Sequence, residues 1–156
     1  MIKVLHICSL DIFAKTFLLP EINHLIDLGY KVEIACSQNN NKSALDGKGY
    51  KVHKISVDRK ISIFSNLLTS LELYTLIKNN KYDIVHTHNH VIGIIGRIVA
   101  KIAGVNNIIH TVHGFYFHEN MPILNRYIHI IIEILLAKIT SKFYLVSEED
   151  TLFARM

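Results

Sequence analysis

The feature that most limits how this chain can fold is the run of residues 82–119, Y-D-I-V-H-T-H-N-H-V-I-G-I-I-G-R-I-V-A-K-I-A-G-V-N-N-I-I-H-T-V-H-G-F-Y-F-H-E. It reads as strand, polar turn, helix, strand, polar loop: residues 83–86 are a short apolar run, 91–103 have helical length, and 107–112 are apolar again. A strand, a helix and a second strand of this length make a βαβ unit, whose strands must lie parallel. In open parallel sheets ligands collect beyond the carboxyl ends of the strands. Both strands end in histidines, at His86-Thr87-His88-Asn89-His90 and at His110-Thr111-Val112-His113-Gly114. Six of the ten histidines, counting His118, fall in these 38 residues, which places the working edge here.

The rest of the chain repeats the alternation. Residues 2–8 predict strand one, 9–14 a turn, and 16–28 a helix stopped by Gly29, with Pro20 in its first turn. Residues 31–36 and 51–57 are further strands, separated by a loop at 37–49 rich in Asn, Ser, Lys and Gly. A helix follows at 63–79, with Leu67, Leu68, Leu71, Leu73, Leu76 and Ile77 as its apolar positions. After the central unit come a long apolar helix at 122–139, a strand at 142–146, and a helix start capped by Ser147 with Glu148, Glu149 and Asp150 in its first turn. Strands alternating with helices throughout specify an α/β fold, a doubly wound Rossmann-like parallel sheet of about six strands. One domain spans residues 1–156; a well-capped helix that opens close to Met156 reads as the front part of something longer.

Composition excludes several classes. Half of the residues are hydrophobic and 19% are charged, which describes a packed globular domain and not a disordered segment. The net charge of +4 is scattered over Lys3, Lys15, Lys31, Lys42, Lys48, Lys51, Lys54, Arg59 and Lys60, so no nucleic-acid tract is present, while a mildly basic surface suits anionic lipid or phosphorylated substrates. Cys8 and Cys36 fall in predicted buried strands without Cys-x-x-Cys spacing, pointing to a reducing cytoplasm. Lys3 interrupts the first apolar run, against a signal peptide. The longest apolar segment, I-H-I-I-I-E-I-L-L-A at 128–137, is broken by His129 and Glu133 and falls short of a membrane span. It fits core packing, packing against a missing domain, or docking on an anionic leaflet, the last making the protein peripheral on the inner face of the cell membrane.

The histidines invite a metal. His86, His88 and His90 would share a face of an extended strand, with His113 as a fourth ligand. The strand is expected to end before His90, and Asp83 is the one acid upstream, so no metal is expected at this set. No Walker-type phosphate loop, Gly-x-Ser-x-Gly elbow or Cys–His pair with an orienting partner is present.

Four pieces in order carry a resemblance: the opening K-V-L-H-I followed by F-L-L-P-E-I-N-H-L-I-D-L-G-Y-K-V-E-I-A, the middle Y-D-I-V-H-T-H-N-H, the helix G-I-I-G-R-I-V-A-K-I-A-G, and the box T-V-H-G-F-Y-F-H-E. Together they make the chain resemble the N-terminal domain of GT-B-fold glycosyltransferases of family 4, the group that includes capsular and exopolysaccharide sugar transferases. The resemblance implies one half of a GT-B fold, in which this lobe holds the acceptor and a C-terminal domain holds the nucleotide sugar with its Glu-x7-Glu motif. That motif is not found here, so a C-terminal donor-binding domain or a separate chain is the expected partner, and the chain by itself is expected to be inactive.

The resemblance further implies a retaining transferase that uses a nucleotide sugar as co-substrate, with no cofactor or metal, and a polysaccharide or lipid-linked carbohydrate acceptor. It places His113, at a strand end before Gly114, near the transferred sugar as a hydrogen-bond donor and candidate catalytic residue. His88 and Asn89 are expected either to line the acceptor side or to stabilise the turn. Tyr116, His118 and Glu119 continue the same substrate-binding loop, with Phe115 and Phe117 as its apolar anchors. His86 and His110, inside strands, are expected either in the core or directly behind the site residues. The turn after strand one departs from the family: Ser9-Leu10-Asp11-Ile12-Phe13-Ala14 has no glycine. Ser9 is a substrate-binding candidate there, and Asp11 either bonds a sugar hydroxyl or caps the helix. Two other classes stay open: a non-catalytic sugar- or nucleotide-binding module, and a metal-dependent hydrolase built on the histidines.

Overall fold

Short, nearly continuous apolar runs, separated by stretches of helical period, yield six strands and the helices that cross between them. The computed structural model describes residues 1–38, 44–57, 63–114, 121–148 and 151, the side chains of Ile63 and Phe64 aside. The strands are β1 (Lys3–Leu10), β2 (Lys31–Ser37), β3 (Lys51–Lys54), β4 (Ile84–His88), β5 (Asn107–Val112) and β6 (Lys142–Leu145). The helices are α1 (Asp11–Phe13), joined through a π-helical turn at Ala14–Leu18 to α2 (Leu19–Asp27), then α3 (Ile63–Asn80), α4 (His90–Ile102) and α5 (Ile123–Ala137). All neighbouring strands pair in parallel, in the order β3-β2-β1-β4-β5-β6. The direction of winding reverses between β1 and β4, where an open α/β sheet places its crevice.

The two faces of the sheet bury different sets because successive strand residues point to opposite sides. Leu5, Ile7, Ala35, Val85 and Ile108 pack against Leu73 and Ile77 of α3 and Ile92, Val99 and Ala100 of α4. Val4, Cys8, Val32, Ile34 and Cys36 pack against Ala14, Leu18 and Ile22 of the first helical segment. Helix α4 sits close to the sheet because two of its residues lack a Cβ. One added at Gly93 would lie 2.6 Å from His110 Cε1, and one at Gly96 would lie 2.8 Å from Thr87 Cγ2.

Three expectations need correction. The turn foreseen at residues 9–14 does not form: β1 runs to Leu10, helix begins at Asp11, and the π turn falls before Pro20, which therefore stands in the first turn of α2, where its missing N–H matters least. In α3 only part of the expected stripe is covered: Leu73 and Ile77 are buried while Leu67, Leu68 and Leu71 are exposed. Helix α5 is turned inside out. Its buried residues are His129 and Leu136, whereas Ile123, Leu124, Tyr127, Ile131, Ile134 and Leu135 face outward, so packing within the lobe does not explain its apolar character.

Candidate active site

At the carboxyl ends of β4 and β5, the residues Asn89, His90, His110, Val112, His113, Gly114 and Glu133 line a crevice of about 130 Å³. Each is placed by a local necessity. Asn89 stands between β4 and α4 at φ 63°, ψ 160°, a conformation that side chains other than glycine rarely adopt. Its Oδ1 accepts hydrogen bonds from the N–H (3.0 Å) and hydroxyl (3.1 Å) of Ser9, closing the switch point between β1 and β4. Gly114 ends the β5 exit at φ 106°, a value that suits glycine alone. His90 opens α4, as expected from a strand that stops before it.

The crevice wall comes from two largely apolar helices joined by one pair of opposite charges. Arg97 of α4 is completely buried; its Nη1 and Nη2 each donate to one oxygen of Glu133 on α5, both at 2.9 Å, and its Nε donates to the Gly93 carbonyl at 3.0 Å. The guanidinium lies over Phe143, 5.6 Å from the ring centre. His90 Nδ1 is 3.6 Å from the Glu133 carboxylate, and His90 Nε2 is 3.0 Å from His129 Nδ1. Burial pulls His90 down to about 4 against the opposing charge of Glu133. Burial, then the Arg97 charge, pull His110 down to about 2, so both imidazoles are neutral at neutral pH. The missed signal was Arg97 and Glu133, opposite charges within the apolar stretches of two helices, which pair when buried.

His113 borders the same crevice half-buried. Phe13 meets it edge-on at 5.0 Å, and its Nε2 lies 3.2 Å from His88 Nδ1. Burial, then the charge of His86, hold its pKa below the ordinary value, leaving a neutral ring that bonds an oxygen more readily than it carries charge.

Of the other expected residues, His86 and His110 are buried as foreseen. His88 is not at an open tip: it is fully buried between His6 and His113, so the acceptor-lining role is corrected to a supporting one. Asp11 is also withdrawn, neither sugar ligand nor N-cap. It is buried, and its two oxygens accept the backbone N–H groups of Ile12 (2.8 Å) and Ala44 (2.6 Å), tying down the segment after β2. Ser9 spends its hydroxyl on Asn89. Tyr116, His118 and Glu119, with Phe115 and Phe117, and likewise Glu149 and Asp150, lie outside the described residues.

The doubly wound six-stranded sheet, with a crevice at the carboxyl ends of β4 and β5, is one half of a GT-B fold. The chain belongs to the family described as "Glycosyl transferase 4-like", whose sequence profile matches residues 6–146. It is similar, at 31% identity over 152 residues, to the UDP-Gal:alpha-D-GlcNAc-diphosphoundecaprenol alpha-1,3-galactosyltransferase of Escherichia coli, covering 96% of this chain. The chain spans 39% of that relative's length and 40% of a second curated relative, from Bacillus subtilis. Among solved structures, MurG of Acinetobacter baumannii superposes with a TM-score of 0.64 at 12% identity, over 93% of this chain and 41% of MurG. UDP-GlcNAc 2-epimerase of Methanocaldococcus jannaschii gives 0.65 at 19% identity, over 94% of this chain and 40% of the epimerase. Both likenesses concern the fold alone.

Proposed function

We propose that this lobe holds the acceptor of a retaining glycosyltransferase, and that transfer requires a donor-binding lobe facing the crevice. The observation that supports this best is the crevice itself. Its volume of about 130 Å³ is well below the roughly 300–1,000 Å³ of a complete ligand site. A half-site at the carboxyl edge of the sheet is what one lobe of a two-lobed transferase offers to its counterpart, on the same chain or another.

In the proposed reaction the bond between the donor sugar's anomeric carbon and the diphosphate oxygen breaks, and an acceptor hydroxyl oxygen bonds to that carbon. The nucleoside diphosphate departs with the bonding electrons, and the hydroxyl proton leaves with it or to solvent. His113 donates a hydrogen bond to an oxygen of the reacting pair, fixed in direction by His88 and Phe13. His90 and Glu133 orient acceptor hydroxyls. The nucleotide sugar is a co-substrate, and no metal or other cofactor takes part in the transfer.

The acceptor is a lipid-linked or polysaccharide carbohydrate, the former being what the E. coli relative's name states for that protein. Among the described residues no helix is long and apolar enough to cross a membrane. The outward Ile and Leu side chains of α5, with the net charge of +4, suit peripheral attachment to an anionic inner leaflet, where a lipid-linked acceptor in polysaccharide synthesis resides. Nucleic acid is no partner in this reading.

The test joins the chain to the donor-binding lobe of the E. coli relative and measures sugar transfer to a short-chain lipid diphosphate sugar. The chain alone is expected to transfer nothing. The joined protein is expected to transfer, and His113→Ala to lower kcat on the order of 10²- to 10³-fold, the usual loss for one preorganised donor. Acceptor binding without transfer in the joined protein would favour a non-catalytic sugar-binding module.

A further inference from the structure

Behind the crevice, sharing only His88 with the support of His113, lies a further cluster of side chains. His6 of β1 lies in register with His86 of β4, and His88, two residues further, shares the same face of the sheet. Glu21 of α2 comes down over that face. One ligating atom from each of His6, Glu21, His86 and His88 lies within 4.8 Å of all the others. His6 Nδ1 and His88 Nε2 are 3.1 Å apart, and so are His86 Nδ1 and the Glu21 carboxylate. Two ligands bound to one tetrahedral zinc at about 2.0–2.1 Å stand about 3.3 Å apart, so both pairs need only a small expansion to hold an ion. We propose that His6, His86, His88 and Glu21 bind one Zn²⁺ between β1, β4 and α2.

Three further observations bear on this. The outer nitrogens of two of the rings are already oriented, as metal-bound imidazoles require: His86 Nε2 lies 2.7 Å from the Thr111 hydroxyl, and His88 Nδ1 lies 3.2 Å from His113 Nε2. Three imidazoles and one carboxylate match zinc in number and softness better than magnesium or calcium, which favour all-oxygen sets. Glu21, with 44% of its side chain exposed, gives the ion a way in.

This is not the set weighed from the sequence. His90 begins α4 and His113 stands outside, in contact with His88, while His6 and Glu21 replace them. The ion would clamp α2 to the sheet and, through His88 Nδ1–H, fix which nitrogen of His113 carries its proton. That makes it a positioning device behind the crevice, and its binding can be measured without any transfer.

The test titrates chelator-treated chain with ZnCl₂ by calorimetry and with Co²⁺ by visible absorption. The expected result is one ion per chain, the intense visible bands of four-coordinate Co²⁺, and a higher melting temperature with zinc. Glu21→Gln and His6→Gln each weaken binding by at least about tenfold, while His24→Gln, at an exposed histidine off the cluster, leaves the affinity unchanged. Absence of stoichiometric zinc, or equal affinity in Glu21→Gln and the parent chain, overturns the proposal. Should His6→Gln fail to fold, Glu21→Gln decides the matter alone.

Discussion

Two carboxylates, Glu33 and Glu133, sit in charged clusters at different places on the sheet, and they end up in different trades. Glu33 stands on β2 beside the start of β3, opposite Lys51 in the register, with no accessible side-chain surface. Its oxygens are taken by Lys51 Nζ (3.2 Å), His53 Nε2 (2.7 Å) and the Tyr82 hydroxyl (2.6 Å). Burial works against its charge, yet the bonds from Tyr82, His53 and Lys51 overcome that and bring its pKa to about 2. Glu133 is similarly held, bidentate to Arg97, but 12% of its side chain stays open and it borders the crevice. A cluster whose acceptors are all taken and covered holds strands together; one that keeps an open edge can also meet a ligand. Place along the strands separates them, since ligands reach an open α/β sheet at its carboxyl edge.

The sharpest way to break this contrast is to remove one charge from each. Arg97→Ala leaves the Glu133 carboxylate buried without its partner and is expected to cost about 3–5 kcal/mol, read from the urea midpoint. Glu33→Ala leaves the buried Tyr82 hydroxyl without its acceptor, while Lys51 stays half exposed, and is expected to cost less, about 1–3 kcal/mol. What should separate the two sites is the milder pair. Glu133→Gln is expected to weaken acceptor binding and Glu33→Gln to leave it unchanged; equal effects on binding would erase the distinction.

Next in size is the close approach of α4. Gly93→Ala sets a Cβ against His110 Cε1 at 2.6 Å and is expected to cost about 1–3 kcal/mol through overpacking, with a matching drop in melting temperature. A neutral result would mean that α4 is free to shift away from the sheet.

Acid separates the two regions by pH window. His110 is depressed from 6.5 to about 2, so below pH 6.5 the unfolded chain takes up a proton that the folded chain refuses. Its contribution is present above 6.5 and is lost as pH falls from there. Glu33 is depressed from 4.5 to about 2, so its contribution is held at pH 5.5 and lost as pH falls below 4.5. Urea midpoints at pH 7.5, 5.5 and 4 are therefore expected to drop first on the crevice side, and His110→Leu to make the loss between 7.5 and 5.5 shallower. An unchanged slope would show that His110 is not the group refusing the proton.

The smallest effect on stability belongs to α5. Ile131, with 55% of its surface exposed, should tolerate Ile131→Asn within about 0.5 kcal/mol. The same change is expected to reduce sedimentation with anionic lipid vesicles; unaltered sedimentation would take α5 out of the membrane account.

The order of elements was legible because short apolar runs and helical runs alternate: β5 falls on the expected residues 107–112 and α3 begins at the expected Ile63. So was the edge where the crevice opens, since both βαβ strands end in histidine. The inward turn of α5 was not legible. The rule that apolar residues go inside favours the Ile-rich face, and the deciding fact is that buried Arg97 on α4 needs Glu133. His88 was readable as a strand end but not as buried, because Phe13 and the first helical segment fold over it only when helix begins directly at Asp11. The meeting of His6 with His86 depends on the register of β1 against β4, and no local pattern encodes that.

The account rests on the crevice at the ends of β4 and β5 being where the acceptor sits. A titration of isotope-labelled chain with a water-soluble GlcNAc-diphosphate short-chain lipid, followed by amide and imidazole chemical shifts, tests it most directly. Saturable shifts at Asn89, His90, His113 and Gly114, with none at Glu33 or His53, are the predicted result. Shifts confined to the β2–β3 edge, or none at any concentration that saturates the joined two-lobe protein, would contradict it.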